Sequence, residues 1–167
     1  ACLPALFPAV ELEGRAYWDG GYVGHPVLTP FLMEERASLD ILIVQVTPFR
    51  RPGTPRTPGE IMSRVNEITF NTSLVRDLRM LTEIQRLARN EDLENPVLQR
   101  IAGLRLHMIS GGDAMAERHP AGKLDTRWSE LTDLRDLGRS IADRWLAENG
   151  DEVGRRATLI GNFGILQ

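Results

Sequence analysis

The chain has 167 residues, 42% of them hydrophobic and 26% charged, with a formal net charge of -3. That length and balance suit one globular domain with a sizeable core and exclude a wholly disordered chain. The weak negative charge excludes the global basic field of a nucleic-acid-binding protein, so no nucleic-acid partner is expected.

The single cysteine, Cys2, leaves no internal disulfide framework and no multi-cysteine metal cluster, and it fits a reducing compartment. It reads as a small buried hydrophobe near the start of the chain. No apolar run approaches the roughly 20 residues that span a bilayer, and the opening ACLPALFPAV lacks the basic-then-apolar order of an export signal. A cytoplasmic location is the expectation. The opening is also apolar from its first residue, as a domain interior is and as free termini usually are not.

In chain order, AVELEGRAYWDGG reads as two short extended pieces around a Glu13-Gly14 turn, with Asp19 where the second piece ends. DILIVQV, over 40–46, is a β-branched apolar run closed by Thr47-Pro48, the pattern of a strand buried on both faces of a parallel sheet. FRRPGTPRTPG, over 49–59, is a loop. Thr57, Pro58 and Glu60 form a capping box that opens a helix. Ile61, Val65, Ile68, Val75, Leu78, Leu81, Ile84 and Ala88 then recur at helical spacing, predicting one long helix over 58–89, or two with a break near Asn71-Thr72-Ser73. The polar trio marks a kink or a contact with a polar pocket.

Asn90 to Pro96 end that helix, LRLHMI over 104–109 alternates as a second strand before Ser110-Gly111-Gly112, and 113–125 reads as a loop. Trp128, Leu131, Leu134, Gly138, Ile141 and Trp145 mark an amphipathic helix that Asn149-Gly150 stops. The tail GNFGILQ carries no assignment. Strand and helix in alternation give an α/β layered domain. Two strands are too few for a stable parallel sheet, which predicts further short strands or strands outside this chain.

No Gly-x-Ser-x-Gly frames Ser38, Ser63, Ser73, Ser110, Ser129 or Ser140. His25, His107 and His119 show no metal-ligand spacing, and no phosphate or dinucleotide loop is present, so neither metal nor cofactor is expected. His107, mid-strand, reads as a satisfied structural histidine, and His119 as a surface residue. Arg50, Arg51 and Arg56 form either a solvated connector or a contact with anionic lipid head groups, at roughly 1 kcal/mol per well-placed charge. On residue chemistry alone, Asp19-Gly20-Gly21 is first a turn, because glycine tolerates positive φ and aspartate bonds nearby amides.

Taken in order, ACLPALFPAVELEGRAYWDGGYVGHP, DILIVQVTPFRRPGTPRT, RVNEITFNTSLVRDLR, LRLHMI, KLDTRWSELTDLRDLGR and ADRWL resemble the second half of the catalytic domain of the bacterial patatin-like phospholipases. The resemblance covers nearly the whole chain and lies in the ordered series more than in the Asp-Gly-Gly motif. It implies a three-layer α/β/α domain and a lipid acyl-ester hydrolase, a serine esterase of lipid metabolism, that works through a serine-aspartate dyad. Asp19 would be the proton acceptor, supported by Gly20 and Gly21, and the substrate would be a lipid or other acyl ester.

The family carries its oxyanion loop and its Gly-x-Ser-x-Gly turn on the N-terminal side of the matching segment, and this sequence has neither. The expectation is therefore that residues 1–167 are the C-terminal portion of one such domain, with the N-terminal strands absent. Within it, 1–48 would hold the dyad aspartate and a core strand, 49–59 the Pro/Arg-rich loop, and 60–167 the helical and strand remainder. Its partner would be the missing N-terminal half, and alone it would be inactive. His25 precedes Pro26 where family members carry Asn, and no role passes to it. The alternative is a non-catalytic remnant of the same fold that binds a lipid surface or a protein through the 49–59 loop and an uncovered sheet edge.

Overall fold

The computed structural model describes residues 2–4, 7–33, 39–88, 94–116 and 125–159. His119, Lys123, Ser38 and the tail from 160 onward lie outside the described residues. Elements run β1 (Val10–Leu12), β2 (Arg15–Tyr17), α1 (Thr29–Met33), β3 (Asp40–Gln45), α2 (Pro58–Ala88), α3 (Pro96–Ala102), β4 (Arg105–Ser110), α4 (Gly112–Ala116) and α5 (Trp128–Asn149), making a mixed α/β chain.

The hairpin of β1 and β2 turns at Glu13 and Gly14, whose φ values of 51° and 74° explain why glycine follows glutamate there. β3 and β4 pair in parallel from Asp40 opposite Arg105 to Gln45 opposite Ser110. The long connection between them holds α2 and α3, as a parallel pair demands. Ile43 and Leu106 turn one sheet face toward α2, where Leu74, Leu78 and Leu81 join Leu28, Leu32, Ile101 and Leu104 in the core. Gln85 Nε2 donates to the carbonyls of Ile101 and Leu104, at 3.0 and 2.7 Å, and ties α2 to the α3–β4 junction.

The opposite sheet face departs from the expected strand buried on both sides. Alternation sends Leu42, Val44 and Val46 there, and they are 46%, 65% and 65% exposed. On β4, by contrast, His107 is fully buried against Trp145 of α5, with ring centroids 6.1 Å apart. On this face, among the described residues, α5 packs against β4 while Leu42, Val44 and Val46 of the β3 segment stay exposed.

The capping box forms as expected: Glu60 N donates to Thr57 Oγ1 at 3.3 Å, and Thr57 N to Glu60 Oε2 at 3.1 Å. α2 then runs unbroken, so Asn71-Thr72-Ser73 does not interrupt it. Its apolar stripe needs correction in the first half. Ile61, Val65 and Ile68 are exposed, and the core-facing row continues back from Leu81, Leu78 and Leu74 through Asn71, Glu67 and Arg64. Three short helices were also absent from the sequence expectation: α1, α3 capped by Asn95, and α4, which replaces the start of the loop expected over 113–125.

Candidate functional site

The hairpin delivers the chain through Tyr17 and Trp18 to Asp19. Trp18 Nε1 donates to the Phe7 carbonyl at 3.2 Å, and Asp19 N donates to the Cys2 carbonyl at 2.8 Å. Cys2 is only partly buried, and its Sγ donates to the Pro8 carbonyl. Asp19 is extended, with φ -60° and ψ 126°, and caps a 3-10 turn over Gly20–Tyr22 by accepting Gly21 N on Oδ1 at 2.8 Å. The turn closes as Val23 N and Gly24 N both donate to the Gly20 carbonyl.

Neither Gly20 nor Gly21 has a positive φ, so the sequence rationale for these glycines does not hold. Space is the reason at Gly21: a Cβ there would stand 2.7 Å from Phe70 Cε1 and 2.9 Å from Asp19 Oδ1. At Gly20 a Cβ would meet nothing within 4 Å.

α2 holds the turn from below with one row of side chains. Asn66 Oδ1 accepts from the Tyr22 hydroxyl at 3.2 Å, Phe70 packs against the rings of Tyr22 and His25 at 4.9 and 5.6 Å, and Ser73 meets the backbone of His25. Of the polar trio, Ser73 thus meets a backbone at an exposed position, and Asn71 makes the buried polar contact, with the Pro48 carbonyl. Asp19 is half-buried, with Tyr17, Trp18 and Val23 exposed around it. Its carboxylate meets one donor among the described residues, the Gly21 amide, and bonds no serine hydroxyl and no cation.

The basic loop divides. Arg51 turns inward and grips Glu67, which is 1% exposed, with Nη2 to Oε1 at 2.7 Å and Nε to Oε2 at 3.2 Å; Nη1 donates to the Ala116 carbonyl. Arg64 adds a longer contact to Glu67 at 3.4 Å and donates to the Phe49 carbonyl, while Asn71 Nδ2 donates to that of Pro48. Arg51 therefore serves to fasten the loop to α2. Arg50 and Arg56 stay exposed. Glu67 is not among the residues that sequence patterning singles out, although it stands seven before Leu74 and four before Asn71 on the same face of α2.

A third polar cluster fastens the far end of the sheet. Asp40 accepts Arg105 at 2.9 and 2.6 Å, His107 Nε2 at 3.0 Å and Gly154 N at 2.8 Å, and His107 Nδ1 pairs with Thr158 Oγ1 at 2.9 Å. The Arg105 hydrogen bonds, ahead of those from Gly154 and His107, hold the Asp40 carboxyl well below the usual carboxylate range although burial opposes them. His107 is thus the satisfied structural histidine that its strand position implies. Among the described residues no three His, Cys, Asp or Glu side chains converge as metal ligands would, and no helix is long and apolar enough to cross a membrane.

Comparison with protein-family models, with curated proteins and with solved structures finds no match. The functional reading therefore rests on the residues and their arrangement.

Proposed function

We propose that the chain supplies the base of a serine-aspartate acyl hydrolase of the patatin-like kind, acting on lipid or other acyl esters. The observation that carries this reading is Asp19 itself, a carboxylate fixed by one backbone amide at a tight turn, flanked by aromatics and bonded to no cation among the described residues. The Oδ1 bond to Gly21 leaves Oδ2 without a protein donor among the described residues, as a proton acceptor requires.

In the proposed reaction Asp19 accepts the proton of a serine hydroxyl as its oxygen attacks the ester carbonyl, and returns it to the departing alcohol. Water then gives a proton to Asp19 as its oxygen attacks the acyl-serine, and Asp19 passes that proton to the departing serine oxygen as the carboxylic acid leaves. A carboxylate in water is a weak base for a serine hydroxyl, so the reaction requires a partly desolvated site and backbone amides that hold the oxyanion. The 167 residues contain no Gly-x-Ser-x-Gly, so the serine and oxyanion loop are assigned to polypeptide outside them. The bare face of β3 supports this, because a parallel pair is stable only with both faces covered and further strands beside it.

A second reading, a non-catalytic remnant that binds a lipid surface or a protein, is favoured by exposed Arg50 and Arg56 on the 49–59 loop and by the exposed apolar residues of β3. Serine-directed phosphonate labelling and ester turnover, with and without Asp19→Asn, separate the two. The hydrolase reading expects turnover lost in the variant wherever the serine is present, and the second reading expects none in either protein.

A further inference from the structure

Ser73 behaves unlike the threonines of α2. Thr69, Thr72 and Thr82 donate back to the carbonyls of Val65, Ile68 and Leu78, four residues earlier, as hydroxyls within a helix usually do. Ser73 instead reaches out of the helix and holds both backbone polar groups of His25, accepting from its N–H at 2.9 Å and donating to its carbonyl at 3.2 Å.

We infer that Ser73 is a positioning residue for the Asp19 carboxylate, closing from α2 the turn that aims it. The turn is pinned at its start where Asp19 N meets the Cys2 carbonyl, and at its end where Ser73 takes His25. Between them Phe70 leaves Gly21 no room to approach α2 further. The Gly21 amide in turn is the donor that orients Asp19 Oδ1. Freed at His25, the turn can lift from Phe70, carry the Gly21 amide with it and let the carboxylate rotate. Both bonds to His25 are exposed, so water replaces them when the hydroxyl is removed. The effect of losing Ser73 is therefore one of direction more than of folding.

The catalytic meaning of this inference rests on the hydrolase reading, whereas its geometry does not, and the test separates them. In the 167-residue chain, NMR coupling through the hydrogen bond between the Gly21 amide nitrogen and the Asp19 carboxyl carbon reports the orientation directly. Ser73→Ala loses that coupling, Ser73→Thr keeps it, and Thr72→Ala, which removes a back-bonded hydroxyl one residue away, keeps it too. If Ser73→Ala does not fold, Ser73→Cys, of similar size but a poor hydrogen-bonding group, gives the same loss. Coupling that survives in Ser73→Ala or Ser73→Cys overturns the inference, as does equal loss in Thr72→Ala. In serine-containing active protein, Ser73→Ala lowers kcat by about 100-fold at unchanged KM, and Ser73→Thr restores it. Lost coupling with full activity in Asp19→Asn removes the hydrolase reading and leaves the positioning role standing.

Discussion

Gly21 lies so close to Phe70 that a Cβ on it would stand 2.7 Å from the ring. The contact seats the Asp19 turn on α2 and makes the two glycines of the motif unequal. Gly21→Ala forces Phe70 or Asp19 to move and costs about 1–3 kcal/mol as overpacking does. Gly20→Ala, with open space around it, stays within about 0.5 kcal/mol of wild type. Urea unfolding of the two variants checks the difference, and equal stabilities would mean that the turn does not sit against Phe70.

Glu67 joins the Pro/Arg loop to the core-facing row of α2 through Arg51 and Arg64. Removing one partner of a buried pair leaves the others without compensation, so Glu67→Ala destabilises by about 3 kcal/mol. Arg56→Ala, at an exposed position on the same loop, changes stability by about 0.5 kcal/mol or less. Denaturant midpoints at equal slope provide the comparison.

Asp40 sets a pH dependence whose sign is fixed. Its folded-state pKa is depressed, so the unfolded chain binds the proton first as pH falls. The stabilisation is whole above the ordinary aspartate value of about 4 and drains away below it, toward the folded-state value. Asp40→Asn is therefore less stable than wild type near neutrality, and its stability falls less steeply on acidification. Unfolding free energies measured near neutral pH and again near pH 3 show whether the two curves converge.

The parts of the fold legible in the sequence were those with a strong local signal. Glu13-Gly14 gave the hairpin, DILIVQV and LRLHMI the parallel pair, Thr57-Pro58-Gly59-Glu60 the start of α2, and the Trp128 to Trp145 spacing α5. The short helices α1, α3 and α4 hold too few turns to show a period, and Asn95-Pro96, which reads as a helix end, is the cap and first residue of the next helix. The stripe on α2 misled because Ile61, Val65 and Ile68 imitate a core face while the true one is polar where it meets the loop. Of the candidate site, Asp19 was visible as a motif; the row of Asn66, Phe70 and Ser73 beneath it was not, because its partners lie some 44 to 48 residues away in sequence.

The base role of Asp19 is tested most directly by steady-state hydrolysis of a short-chain p-nitrophenyl ester in active, serine-containing protein, comparing wild type with Asp19→Asn. The asparagine keeps the size of the side chain and an oxygen for the Gly21 amide but cannot take the serine proton. The account predicts that kcat falls by about 1,000-fold while the urea midpoint is unchanged. Near-wild-type kcat in a folded Asp19→Asn protein would contradict it and leave Asp19 as the cap of a turn.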